Sequence, residues 1–133
     1  MIRTAADTQA IIWFLQLSRQ LSAVAKRAME QTIADGDQIA VSAMSIVEMV
    51  FLSERGRIAP AAWASLAATL DSPSSTLVVI PIDRSIAERV RDISRALVTE
   101  LPDRVIAATA VQLGVPLITS DLRIRASGIA TIW

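Results

Sequence analysis

The chain has 133 residues, with 13 basic and 13 acidic side chains, a net charge of zero, and no cysteine, histidine or tyrosine. That composition excludes a disulfide framework, thiolate chemistry, Ser-His-Asp triads and the usual zinc sites, and the neutral balance excludes a protein that coats nucleic acid by bulk positive charge. The hydrophobic fraction of 53% is high for one domain, yet no run nears the roughly 18 apolar residues that span a bilayer. No membrane segment is therefore expected, and the surplus apolar surface is expected to be covered by another chain. The N-terminus lacks a basic flank followed by an apolar block, so a cytoplasmic location is expected.

In chain order, residues 2–6 read as a short strand leading into Asp7, and Thr8 to about Leu17 as a helix. A second helix runs from Leu21 to Ala34 and closes at the turn Asp35-Gly36-Asp37. Gln38–Val41 is a strand. Ser42 to Arg55 is a helix with Met44, Val47 and Phe51 on one side, ended by Gly56. Pro60 starts a helix in which Trp63, Leu66 and Leu70 recur at helical spacing, and 72–75 is a loop. Leu77–Ile80 is a continuous apolar run of the kind buried in parallel sheets. Asp83 is placed to cap a helix whose inner face is Ile86, Val90, Ile93 and Leu97. After Pro102 comes an alanine-rich helix closed by Gly114, then a strand at Val115–Thr119 and a last short one within Ile129–Trp133. Alternating strands and helices predict an α/β fold over residues 1–133, a single domain with a short central parallel sheet covered by helices on both faces. In such sheets, sites lie at the carboxyl ends of the strands.

Four acids stand at the edges of, or within, apolar segments, where an isolated carboxylate is costly. Asp7 and Asp121 follow strands, Glu48 lies mid-helix and Asp103 opens a helix. Each has a local explanation: Asp7 and Asp121 as helix caps, Asp103 as an ordinary first-turn acid, and Glu48 as partner of Ser42 or Ser45 in a capping box, with Ser45-x-x-Glu48 fitting that pattern directly. One shared divalent cation explains all four together. Oxygen donors without histidine suit Mg²⁺ or Mn²⁺, which activates water and neutralises phosphate charge. Glu88 and Asp92 sit at helical spacing from Arg84, Arg91 and Arg95 and read as a solvated ion-pair face. Twelve of the 13 basic residues are Arg; the fork fits phosphates, although biased genome composition produces the same count. Asp7-Thr8 at a strand end also fits a phosphoryl-transfer enzyme, but Gln9 stands where such an enzyme places its second acid. A receiver domain wants a late lysine, and the sole lysine is Lys26.

At these residues the sequence resembles the PIN-domain family, in particular the VapC-type toxins of bacterial type II toxin–antitoxin systems. The segments Asp7–Trp13, VSAMSIVEM at 41–49, PDRVIAATA at 102–110 and PLITSD at 116–121 look like its four motifs, and TIW at 131–133 like its closing strand. Two features depart from the usual pattern: Arg3-Thr4 make the first strand more polar, and Glu100-Leu101-Pro102 stands where many relatives have Asp-Pro. The resemblance implies a metal-dependent endoribonuclease, the toxin of a toxin–antitoxin pair, that acts on RNA with Mg²⁺ or Mn²⁺. It also implies a homodimer and a cognate antitoxin. Asp7, Glu48, Asp103 and Asp121 would hold the metal, with Thr8 and Thr119 as supporting hydroxyls. The alternative is a catalytically inactive PIN-like module that binds protein or RNA.

Overall fold

Short runs rich in β-branched residues and alanine form five strands: β1 (Ile2–Ala6), β2 (Gln38–Ser42), β3 (Leu77–Ile80), β4 (Leu117–Ile118) and β5 (Thr131–Ile132). The computed structural model describes residues 1–133. All strand pairs are parallel, and their order across the sheet is β3-β2-β1-β4-β5. The connecting helices are α1 (Thr8–Leu15), α2 (Ala23–Ala34), α3 (Ala43–Glu54), α4 (Pro60–Asp71), α5 (Arg84–Arg89), α6 (Leu101–Leu113) and α7 (Leu122–Ala126), with a 3₁₀ turn at Val90–Asp92.

Successive strand residues point to opposite faces, and this divides the core in two. Ala6, Ile39, Val41, Leu77 and Ile118 pack with Ile11, Met29, Met49 and Leu66 from the first four helices. Ala5, Ala40 and Leu117 pack on the other face with Ile86, Ile93, Ile106, Ala107 and Ala110. Both faces are covered, as a parallel sheet requires. The alanines shared by β1, β2 and α6 leave little between helix and sheet, so α6 lies close to the strands. Strand order reverses between β1 and β4, which opens a crevice at their carboxyl ends. The Asp7 N–H donates to Ile118 O at 3.1 Å and ties the two strands together up to that crevice.

One expectation is corrected, and one point that the sequence leaves open is decided. The helix read through Leu97 stops at Arg89 and tightens into the 3₁₀ turn; Ile93 is extended and Leu97 is 43% exposed. Arg104 explains the break. Its Nη2 donates to Val90 O at 2.9 Å and Ile93 O at 3.2 Å, taking carbonyls that a continuing helix would use. The side of α3 that carries Val47 and Phe51 does not face the core: they are 56% and 53% exposed, and the buried positions are Ser45 and Met49. Smaller boundary shifts also occur. Helix α1 ends at Leu15, Ser22 and Ser42 cap α2 and α3, Pro102 is the second residue of α6, and the last two strands shorten to two residues each.

Candidate active site

Four elements deliver one carboxylate each to the crevice between β1 and β4. Asp7 ends β1 and caps α1, with Oδ1 accepting the Ala10 N–H at 2.8 Å. Asp121 follows β4 and caps α7, with Oδ1 accepting the Arg123 and Ile124 N–H groups at 2.8 and 3.0 Å. Glu48 reaches in from the middle of α3, and Asp103 stands in the first turn of α6. A cavity of 260 Å³ is lined by Asp7, Glu48, Asp103 and Asp121 together, with Thr8 and Ser120 beside them. A second cavity of 210 Å³ continues past Asp103 and Asp121 to Glu100 and Arg123. The structure thus brings all four expected acids to one place. The cap explanations for Asp7 and Asp121 are also correct, so those two residues do both jobs.

Hydroxyls fix the acids. Thr8 Oγ1 lies 2.7 Å from Glu48 Oε1 and 2.9 Å from Ser45 Oγ. Having one proton, Thr8 donates it to the carboxylate and accepts from Ser45. Ser45 is fully buried and does not cap α3; Ser42 does, accepting the Met44 N–H, while Glu48 is bonded by Thr8, so neither serine forms a capping box with Glu48. Thr119, also fully buried, accepts the Asp121 N–H at 3.0 Å and shapes the turn that aims Asp121. Ser45 as the support behind Thr8 escapes a reading by motif, because Ser-x-x-Glu looks like a cap. Arg123 escapes it too; its only signal is its place two residues after Asp121.

The electrostatics follow from crowding like charges in a partly dry crevice. Burial pushes the Asp7 carboxyl up, the Thr119 hydroxyl and the Ala10 N–H pull it back, and Asp121 and Glu48 push it further up. The Asp103 carboxyl is raised to about 6, first by burial and then by Asp121, Glu48, Asp7 and Glu100. Its place at a helix N-terminus favours the charged form, but burial and four acidic neighbours outweigh that. None of the four acids is in an ion pair.

An all-oxygen donor set without histidine or cysteine suits a hard divalent cation. No three acids stand close enough to form a ready cage around one ion. The geometry fits an ion that takes one or two carboxylates directly and keeps several of its waters, which is how Mg²⁺ is commonly held.

The PIN domain model matches residues 5–128. The chain belongs to the PIN-domain family. Among its relatives, Ribonuclease VapC22 of Mycobacterium tuberculosis is 28% identical to this PIN domain over 125 residues, covering 94% of this chain and 92% of the relative. VapBC2 from Rickettsia felis, solved with a DNA fragment from its promoter, superposes with a TM-score of 0.72 at 14% identity and covers 98% of this chain and 97% of its own. A toxin–antitoxin complex from Klebsiella pneumoniae gives a TM-score of 0.65 at 24% identity, with 98% and 96% covered. DNA-bound VapBC from Salmonella typhimurium gives 0.68 at 21% identity, with 98% and 97% covered. At these identities the structures establish a shared PIN fold. No helix is long and apolar enough to cross a membrane.

Proposed function

We propose that this PIN domain is an endoribonuclease of the VapC kind, the toxin of a toxin–antitoxin pair, and that it hydrolyses RNA phosphodiesters with Mg²⁺ or Mn²⁺. The observation that carries the reading is the convergence of Asp7, Glu48, Asp103 and Asp121, from four separate elements, on one crevice where none of them forms an ion pair. The likeness to Ribonuclease VapC22 supports the activity, and the likeness to VapBC complexes supports a cognate antitoxin as partner. The exposed Val47, Val50 and Phe51 on α3 support a homodimer or an antitoxin contact on that face.

When bound, the divalent ion supplies acidity to a water and neutralises charge on the phosphate. Asp7, Glu48, Asp103 and Asp121 are the residues that would hold it. Thr8 orients Glu48, Ser45 orients Thr8, and Thr119 holds the turn that presents Asp121. Asp103, whose carboxyl is raised to about 6 by burial and by its acidic neighbours, is the member of the group that a bound cation would relieve most.

The test is cleavage of bacterial RNA by purified protein freed of any partner. Cutting is expected in Mg²⁺ or Mn²⁺ and none in EDTA. Cutting that persists undiminished in chelator would overturn the metal mechanism, and RNA bound but never cut would favour the non-catalytic binding module.

A further inference from the structure

Arg123 is the only basic side chain lining either cavity that holds Asp103 and Asp121. Three carboxylates (Glu100, Asp103 and Asp121) line its cavity, yet it forms no ion pair with any of them. Instead its Nη1 donates to Thr99 Oγ1 at 3.0 Å, across the cavity from α7 to the segment that precedes α6. A guanidinium is a planar fork of five donors. One hydroxyl occupies a single donor and leaves the others without a protein partner, on a side chain that lines the same cavity as the acids. Three arginines, Arg3, Arg84 and Arg89, are paired with a carboxylate; what sets Arg123 apart from the other unpaired ones is its place in a cavity that three acids line.

A polyanion approaching four carboxylates meets repulsion everywhere except at the ion and at this one fork. From this we infer that Arg123, steadied by Thr99, binds a phosphate of the RNA strand next to the scissile one and so sets the strand's register over Asp103 and Asp121. The inference rests on the ribonuclease reading and adds to it a substrate-positioning residue and the line along which the strand lies: its flanking phosphate toward α7, the reacting one toward β1. The planar fork suits bidentate phosphate recognition in a way an ammonium does not.

The experiment uses a labelled RNA drawn from a pool as one that the wild-type chain cuts in Mg²⁺. It compares wild type, Arg123→Gln, Arg123→Lys and Thr99→Val. Arg123→Gln is expected to raise KM about 10-fold and leave kcat within about 2-fold, the pattern of lost binding away from the reacting atoms. The slope of log KM against log salt should flatten by about 0.7, the value of one phosphate contact on a single strand. Arg123→Lys should restore the slope but only part of KM, and Thr99→Val should raise KM about 3-fold with the slope unchanged, as expected of a residue that only aims the fork. The melting temperature of all three should stay near wild type, because Arg123 and Thr99 are exposed. Equal KM and equal salt slope in wild type and Arg123→Gln overturn the phosphate role and leave the ribonuclease reading intact. A wild-type chain that cuts no RNA in the pool overturns both.

Discussion

The two ends of the central sheet treat their acids in opposite ways. At the amino end, Asp37 accepts from Arg3 Nε at 2.7 Å and lies 3.5 Å from the N-terminal ammonium. Arg3 holds its carboxyl below the usual carboxylate range. At the carboxyl end, Asp7 and Asp103 have no cation, and burial with acidic neighbours pushes both up. Chain chemistry is the same at the two ends; what differs is whether the counter-charge is built in. An acid with its own arginine is finished as structure. A group of acids without one is unfavourable alone and becomes favourable only when a cation arrives, which is the physical mark of a site.

The largest effect that tests this contrast is on catalysis. Asp7→Asn or Asp103→Asn should lower the rate of RNA cleavage at least about 100-fold, because each removes a carboxylate that the site needs. Asn caps α1 nearly as well as Asp, so the fold should survive; Asp37→Asn should leave cleavage within about 2-fold, since it lies at the other end of the sheet. Cleavage retained in both crevice variants would falsify the shared-cation reading.

Thr8→Val should cost about 10-fold in cleavage. It frees Glu48 from its only hydrogen-bonded side chain and strands the buried Ser45 hydroxyl. Steady-state kinetics with Mg²⁺ in excess checks this, and a wild-type rate in the variant would show that Glu48 needs no support.

Stability should move in opposite directions at the two ends. Without metal, Asp103→Asn removes a repelled, half-buried charge. Discounting the shift for solvent screening leaves about 1 kcal/mol, or a rise of roughly 4 °C in melting temperature at pH 7. Asp37→Asn should lower it. Saturating Mg²⁺ should then raise the melting temperature of wild type more than that of Asp103→Asn. A fall in melting temperature for metal-free Asp103→Asn would mean that its charge is already balanced.

The pH dependence sharpens the same contrast. Asp103 titrates at about 6 when folded and near 4 when unfolded, so between those values the folded state binds more protons. Its contribution therefore makes metal-free stability fall as pH rises from about 4 to about 6. Asp37, shifted the other way, contributes stability that is present above its unfolded value and lost as pH falls through its lower folded one. Cleavage and Mg²⁺ binding should rise with pH through about 6, since the ion competes with the Asp103 proton. Melting curves of wild type and Asp103→Asn across pH 4 to 7, without metal, should converge at the acid end.

Much of this was legible from residue order because it rests on local rules. Apolar strands followed by Asp7 and Asp121 mark the carboxyl ends of β1 and β4, and Asp83, Gly114 and Pro60 punctuate the helices where expected. What was not legible has specific causes. AMSIVEMVFL is apolar on nearly every side, so its period does not say which face is inside, and the neighbouring helices decide in favour of Ser45 and Met49. Ile86, Val90, Ile93 and Leu97 fit a helical stripe, but Arg104, distant in sequence, captures the carbonyls that would continue it. The Thr8–Ser45–Glu48 chain joins residues 37 and 40 apart, and no local spacing announces such a contact.

The double duty of Asp7 and Asp121 has a consequence for how rigidly the crevice holds them. Each has committed Oδ1 to backbone amides at the start of a helix. Their orientation is therefore set by the backbone before any ligand arrives. The entropy lost in aiming these two carboxylates is met when the helices form, and binding does not have to meet it again.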